Sequence, residues 1–358
     1  MTVEQFWHRV PGGTAVATLG MAQALHRRGD LDLVGVAASH RSGPAGPWKL
    51  PIPVRHLPLP RVALYEAWHR LRRPAVERAT GAVDVIHATT IAIPPKSAPL
   101  VVTIHDLAWL REPAHFTPRG ISFFNRGLKL ALKDADIVMC PSTATLEDCA
   151  QNGFDREKLR LVPMAAGARV ATYEEILEAK TRYGLPDHYI LWTGTIEPRK
   201  NLSRLLQAYA TLDGEVSLVL AGPKGWNEDL DALVKDKRDK VKVIGFVPPA
   251  DLAPLYGGAD VFCFPSLLEG FGLPVVEAMI QGTPVVTSKG TSTEEIAKGA
   301  GVLVDPRDAG SIAVGLASVL HDAERAERLS AAGRERATHY TWERTAELVA
   351  GVYAEASR

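Results

Sequence analysis

The stretch "LLEGFGLPVVEAM" (Leu267–Met279) places two carboxylates, Glu269 and Glu277, on either side of Gly270, Phe271, Gly272, Leu273 and Pro274. On one continuous helix, residues eight apart could share a face. Two glycines and a proline argue against that helix, because proline is best tolerated at the first helical position. The pattern predicts a loop holding Glu269 and a helix starting near Pro274, with Glu277 in its first turn. Glycines let a backbone approach a ligand closely, and the amides at a helix start bind phosphate. A carboxylate aimed at that phosphate would repel it. Glu277 is better suited to accept hydrogen bonds from hydroxyls such as a ribose diol, and Glu269 to grip sugar hydroxyls. A strand–turn–helix corner, with Glu277 merely favourable to the helix dipole, explains the same residues without a ligand.

Three further stretches carry chemistry. In "LWTGTIEPRKNLSRLLQAY" a strand ends at Thr193 and a turn through Thr195 presents Arg199 and Lys200 before a helix. Two adjacent cations at a strand's C-terminal end suit a diphosphate, although a solvated loop pair looks the same in sequence. In "VPGGTAVATLGMAQALHRRG" Gly12 and Gly13 lead into an alanine-rich helix. They read as a tight turn or as a phosphate or sugar contact, and the pattern is not G-x-G-x-x-G, which argues against a dinucleotide site. In "LVVTIHDLAW" an apolar strand ends in His105-Asp106, the position where ligands collect in open α/β sheets. His87 ends another strand, and a satisfied core histidine is the plainer reading of either.

Metal signals are poor. Asp30/Asp32, Asp134/Asp136 and Asp229/Asp231 match D-x-D away from convincing strand ends, and no His/Cys ligand spacing or G-x-S-x-G elbow is present. No metal and no cofactor are expected.

The elements that must position these groups alternate. Leu33–Ala38, Val83–His87, Leu100–His105 and Ile137–Cys140 read as buried strands, then Tyr189–Thr193, Val216–Ala221, Val241–Phe246, Val261–Phe264 and Pro284–Thr287. Apolar strands separated by helices make parallel sheets covered on both faces. The two series flank a connection over residues 163–188. They predict an α/β chain of two doubly wound, Rossmann-like domains facing a central cleft: residues 1–168, residues 169–340, and a terminal amphipathic helix over 341–358 crossing back to the first. The first strand has only Thr2–Phe6 available, so a few upstream residues are expected to be missing.

The 358 residues carry 41 basic and 41 acidic side chains, a balance that gives no support for nucleic-acid binding. Residues 1–170 hold 21 basic against 14 acidic residues, so the first domain is basic. That suits an anionic acceptor or peripheral contact with a membrane's inner face. The arginine-rich "YEAWHRLRRPAVER" (Tyr65–Arg78) reads as a solvated helix face or a membrane-lying one. No secretory leader or apolar span is legible, and the three cysteines form no framework, so a cytoplasmic location is expected.

Taken together, these motifs resemble the retaining glycosyltransferases of family 4, with the GT-B fold, and their mannosyltransferases in particular. Pro265–Val286 is similar to that family's E-x7-E region. "LYGGADVFCFPS", "GFVPPADL" and "GVLVDPRD" resemble its nucleotide-sugar domain, and "TIHDLAW" and "PGGTAVAT" its acceptor domain. The resemblance implies sugar transfer from a nucleotide diphosphate-sugar, GDP-mannose first, to a glycan, lipid-linked or small-molecule acceptor, without a metal. It implies that Glu269 contacts the donor sugar and Glu277 the ribose. The backbone from Gly270 through Phe271 and Gly272 to Leu273, with Arg199 and Lys200, holds the diphosphate. The backbone around Val247 meets the base, Gly12-Gly13 close on the donor, and His105 sits by the sugar. Many relatives carry arginine where this chain has Thr195, which shifts phosphate load onto Arg199. UDP- or deoxysugar donors, a sugar-nucleotide epimerase of the same fold, and an inactive nucleotide-sugar binder remain as rival readings. Intact Glu269, Glu277, Arg199 and Lys200 weigh against the last.

Overall fold

The computed structural model describes all residues except 9–11, 47, 168, 226–229 and 236–239. These form two compact units, Met1–Ala165 with Thr341–Arg358, and Ala166–Tyr340. The sequence-based boundary at residue 168 lies outside the described residues.

In the first unit, β1 (Gly35–Ala37) and β2 (Val54–His56) pair in parallel. β3 (Ile86–Ala88), β4 (Leu100–Thr103), β5 (Ile137–Cys140) and β6 (Leu159–Leu161) form a second parallel sheet in that order. Every residue of β3, β4 and β5 is buried, as strands covered on both faces require. β2 and β6 escape sequence reading because each is three residues with a central arginine.

The strand expected over Thr2–Phe6 is not formed. Thr2 makes a single parallel bridge to Val36 and donates its amide to the His87 carbonyl, which ties β1 to β3. Glu4–Trp7 then turn as a 3-10 helix. Side chains explain the turn. The Glu4 carboxylate accepts from the Ala38 amide at 2.7 Å, and the Gln5 amide donates to Thr18 and Thr89. These anchors pull the chain off the strand path.

The helix Trp342–Ala356 belongs to this unit. It buries Trp342, Thr345, Ala346, Val349 and Val352, and packs against the helix Gly12–Arg28. A Cβ on Gly20 would lie 2.2 Å from the Trp342 ring, so this mid-helix glycine is set by packing. The basic stretch near Tyr65 fits neither surface reading as a whole. Trp68 is a core residue, and the Arg72 guanidinium donates to the Trp68, Ile93 and Pro94 carbonyls and to Asp134. No helix among the described residues is long and apolar enough to cross a membrane.

The second unit holds β7 (Tyr189–Thr193), β8 (Ser217–Ala221), β9 (Val241–Gly245), β10 (Val261–Phe264), β11 (Val285–Ser288) and β12 (Val302–Val304). Their order is β12-β11-β10-β7-β8-β9, all parallel. The winding reverses between β7 and β10. Loops leaving those two neighbours diverge, and open α/β sheets bind ligands at such a switch point.

Candidate functional site

The loops after β7 and β10 meet at the reversal. Asn201 adopts a left-handed conformation at φ 60°, which ends the 3-10 turn Pro198–Lys200 and starts the helix Leu202–Tyr209. Its side-chain amide donates to the Pro265 carbonyl at 2.9 Å and the Pro306 carbonyl at 2.6 Å. The Leu267 amide donates to the Arg199 carbonyl at 2.8 Å. These bonds hold the two loops together.

Four ionised side chains converge there. Lys200 Nζ donates to Glu269 Oε1 at 2.6 Å, and Arg199 Nη1 to Glu269 Oε2 at 3.1 Å. Arg199 Nε also lies 2.7 Å from Glu197 Oε1. The Glu197, Glu269, Lys200 and Arg199 side chains are 3%, 8%, 10% and 22% exposed, so the pairing is poorly screened by solvent. Burial opposes ionisation of Glu269, but Lys200 and Arg199 more than offset it and hold the carboxyl below its ordinary range. Burial lowers the Lys200 ammonium, helped by Arg199 and opposed by Glu269. Lys200 Nζ also sits 4.9 Å from the centre of the Phe264 ring. In sequence, the cations suit a phosphate and Glu269 a sugar as separate groups. Here the three form one cluster.

The backbone from Gly270 to Leu273 then enters the helix Leu273–Gln281. Gly272 is its N-cap at φ 117°, and a Cβ there would meet Thr293 Cγ2 at 2.7 Å. Glycine supplies no capping side chain, so the first turn of amides is not capped locally. The Ser292 hydroxyl shares its proton between the Glu269 and Phe271 carbonyls, 2.8 Å from each, which fixes the loop. The Phe271 ring is buried edge-on against Tyr340.

Glu277 is the fifth helical residue and lies in the second turn, not the first, because the helix starts at Leu273. Its Oε2 accepts from the Tyr256 hydroxyl at 2.9 Å, and that hydroxyl lies 2.8 Å from Thr193 Oγ1 at the end of β7. Among the described residues no donor reaches Oε1. Burial raises the Glu277 carboxyl, against the pull of the Tyr256 bond. Such a carboxylate gains from hydroxyl donors.

Thr195 lies in the loop after β7, which is zipped to the loop after β8. The Gly194 and Ile196 amides donate to the Ala221 and Pro223 carbonyls. A Cβ on Gly222 would fall 1.8 Å from the Gly194 carbonyl oxygen, so only glycine permits this approach. Val247 is buried two residues past the end of β9.

The remaining sequence-derived residues belong to the first unit. Gly12 (φ 67°) and Gly13 open the helix Gly12–Arg28, and a Cβ on either meets nothing within 4 Å. Pro11 of the same motif lies outside the described residues. His105, just past β4, places Nε2 3.0 Å from the Thr89 carbonyl, and burial lowers its pKa against that contact and Asp106. It borders a cavity of about 30 Å³ with Thr18, Thr89 and Cys140. His87 is a satisfied core residue, 2.7 Å from both the Tyr353 hydroxyl and Thr103 Oγ1.

Asp30, Asp134, Asp136 and Asp231 each sit in an ion pair, with Arg28, Arg72, Lys96 and Lys224. Asp229 lies outside the described residues. Among the described residues no group of three or more His, Cys, Asp or Glu is placed to hold a metal. Sequence reasoning missed Glu197, Asn201, Tyr256 and Ser292. The one signal available was that Glu197 and Asn201 flank the Arg199-Lys200 pair.

Comparison with known proteins identifies the family and the fold. The glycosyl transferases group 1 family matches residues 174–336, and the glycosyl transferase 4-like domain matches residues 12–165. The Escherichia coli O-antigen chain mannosyltransferase B is 30% identical over 270 residues, 72% of this chain and 71% of that protein. A D-inositol 3-phosphate glycosyltransferase of Xylanimonas cellulosilytica is 29% identical over 390 aligned positions, 97% of this chain and 92% of the relative. The structure of Anabaena HepE in complex with UDP-glucose matches with a TM-score of 0.78 at 20% identity, covering 99% of this chain and 98% of the other. At that identity the likeness speaks for the fold, two parallel-sheet α/β domains of the GT-B class. The chain belongs to the family 4 glycosyltransferases, on their mannosyltransferase-like side.

Proposed function

We propose that this glycosyltransferase moves mannose from GDP-mannose to a glycan, lipid-linked or small-molecule acceptor, with retention at the anomeric carbon. The Glu269–Arg199–Lys200 cluster at the β7/β10 reversal carries this reading. Arg199, Lys200 and the amides at the start of the helix Leu273–Gln281 receive the diphosphate. The arriving negative charge competes with Glu269 for both cations, and Glu269 turns to the sugar hydroxyls, which supply replacement donors. Glu277 accepts from the ribose diol with the oxygen that Tyr256 does not occupy. Backbone near Val247 meets the base, Thr195 stands on the loop after β7 that carries Arg199 and Lys200, and His105, its pKa lowered by burial, is assigned to the sugar and Gly12-Gly13 to the donor. The mannosyltransferase relative at 30% identity favours the sugar.

Transfer then proceeds on one face. The C1–O bond to the diphosphate breaks, the C1–O bond to the acceptor forms, and the acceptor's proton passes to a departing phosphate oxygen. Catalysis rests on stabilising the leaving charge and holding the acceptor. No step calls on a metal. The test is a thermal-shift series with GDP, UDP and dTDP, followed by mass spectrometry and anomeric NMR of product. A shift with GDP and an α-mannoside product are expected. A shift with UDP alone rejects GDP-mannose, and an inverted product rejects the same-face path.

A further inference from the structure

Arg199 is held by two carboxylates, and they differ in what else they can do. Glu269 lies on the loop whose backbone leads to the uncapped helix start. Glu197 is on the same short loop as Arg199, and its side chain is only 3% exposed. The residue before it is pinned, because the Ile196 amide donates to the Pro223 carbonyl and Ile196 bridges to Lys224. The residue after it is Pro198, and the Lys200 amide closes the turn on the Glu197 carbonyl at 3.0 Å. Glu197 is thus rigid on both sides, and burying its charge is costly without a partner such as Arg199.

We infer that Glu197 is a positioning residue for transfer: its grip on Arg199 Nε keeps the guanidinium aimed at the diphosphate after Glu269 has turned to the sugar. The inference rests on the donor-site reading above. Without Glu197 the Nε edge of the guanidinium loses its carboxylate, and once Glu269 departs the neutral Leu268 carbonyl, 3.2 Å from Nη1, is a weaker hold at the moment when charge develops on the leaving group. The sign on binding is opposite. Neutralising Glu197 makes the cluster more positive, so attraction for a diphosphate does not fall. Rate and affinity therefore separate, which a merely structural role would not produce.

The experiment compares the parent with Glu197→Gln, Glu197→Asp, Arg199→Ala and the Glu197→Gln/Arg199→Ala double variant. It measures kcat and donor KM with GDP-mannose and UDP-glucose, GDP and UDP binding by calorimetry, and thermal unfolding. Glu197→Gln should lower kcat by about 10- to 100-fold, the usual loss when the partner orienting a working side chain is removed. Donor KM should stay level or fall. Glu197→Asp should recover part of the rate, and adding Glu197→Gln to Arg199→Ala should cost little more. A parental kcat in Glu197→Gln, or the same loss with and without Arg199, overturns the role of Glu197. If Glu197→Gln does not fold, Glu197→Asp decides: its kcat must fall at unchanged KM, and a parental kcat overturns the role. If the parent binds neither GDP nor UDP and transfers from neither donor, the donor-site reading fails and takes the inference with it. Transfer by a parent that Glu197→Gln matches removes only the inference.

Discussion

Glu269 and Glu277 lie eight positions apart, and their surroundings treat them in opposite ways. The neighbouring loop after β7 brings two cations within 3.1 Å of Glu269, and its carboxyl is held below the ordinary glutamate range despite burial. Glu277 receives one neutral hydroxyl, that of Tyr256 on the helix Pro249–Gly257, and burial wins, pushing the carboxyl up. Residue type is the same, and burial acts in the same direction on both. What differs is whether the compensation is charge or a hydrogen bond. A compensated carboxylate can be exchanged against an incoming anion. An under-supplied one gains when hydroxyls arrive. The contrast supports the proposed division, with phosphate chemistry in the first region and diol chemistry in the second.

The largest way to break this contrast is Lys200→Ala. It strips the closer of the two cations from Glu269 and, on the proposed reading, one donor from the diphosphate. Transfer should fall by about 10²- to 10³-fold, the scale for losing one group that stabilises developing charge. Unpairing a buried ion pair costs up to about 3–5 kcal/mol, and Arg199 offsets part of it, so the variant should still unfold cooperatively. Circular dichroism and transfer assays check both. Equal turnover in variant and parent would sink the role of Lys200.

The next effect tests the sign of the contrast. Glu269 has a folded pKa below its ordinary 4.5, so its stabilisation is present above that value and is lost as pH falls through the folded pKa. Glu277 has a folded pKa above 4.5, so its contribution is full below 4.5 and is lost as pH rises through the folded pKa. Glu269→Gln should therefore lose most stability near neutral pH and lose less in acid. Glu277→Gln should run the other way, gaining on the parent as pH rises. Urea unfolding of both variants between about pH 4 and pH 8 reads the two slopes. Slopes of the same sign would refute the opposed environments. In transfer, Glu277→Gln should weaken the donor by about tenfold, in line with hydrogen bonds to a charged group.

Much of this site is legible along the chain, and the illegible part has a common cause. Gly270, Gly272 and Pro274 punctuate the chain strongly enough to place the loop and helix, though the helix starts one residue early and carries Glu277 into the second turn. β5, β7 and β10 lie where their apolar runs put them. By contrast, Glu197 and Asn201 look like ordinary polar loop residues. Asn201 gains its meaning from a carbonyl 64 positions away, and Lys200 from a carboxylate 69 positions away. No local pattern encodes such pairs; they appear once β7 and β10 are neighbours. The expected first strand fails for the same reason. Glu4 and Gln5 read as strand residues until Ala38, Thr18 and Thr89 are brought beside them.

The smallest effect separates the two regions most cleanly. Tyr256→Phe removes the one hydroxyl on Glu277 and leaves the Glu269 cluster untouched. The ring is fully buried and its packing survives the change. Two bonds are lost, to Glu277 Oε2 and with Thr193 Oγ1, so stability should fall by about 1–2 kcal/mol. The Tyr256 bond opposes the rise in the Glu277 pKa, so its loss should push that pKa higher still. On the proposed role of Glu277, donor affinity depends on its ionised form, so the pH at which affinity rises should move upward. The plateau affinity at alkaline pH should change little, because the diol still finds the oxygen that Tyr256 does not occupy. Calorimetric titration of the favoured nucleoside diphosphate across pH measures this. An unmoved midpoint in Tyr256→Phe would mean that Glu277 does not set the pH response, and the contrast between the two carboxylates would then rest on Glu269 alone.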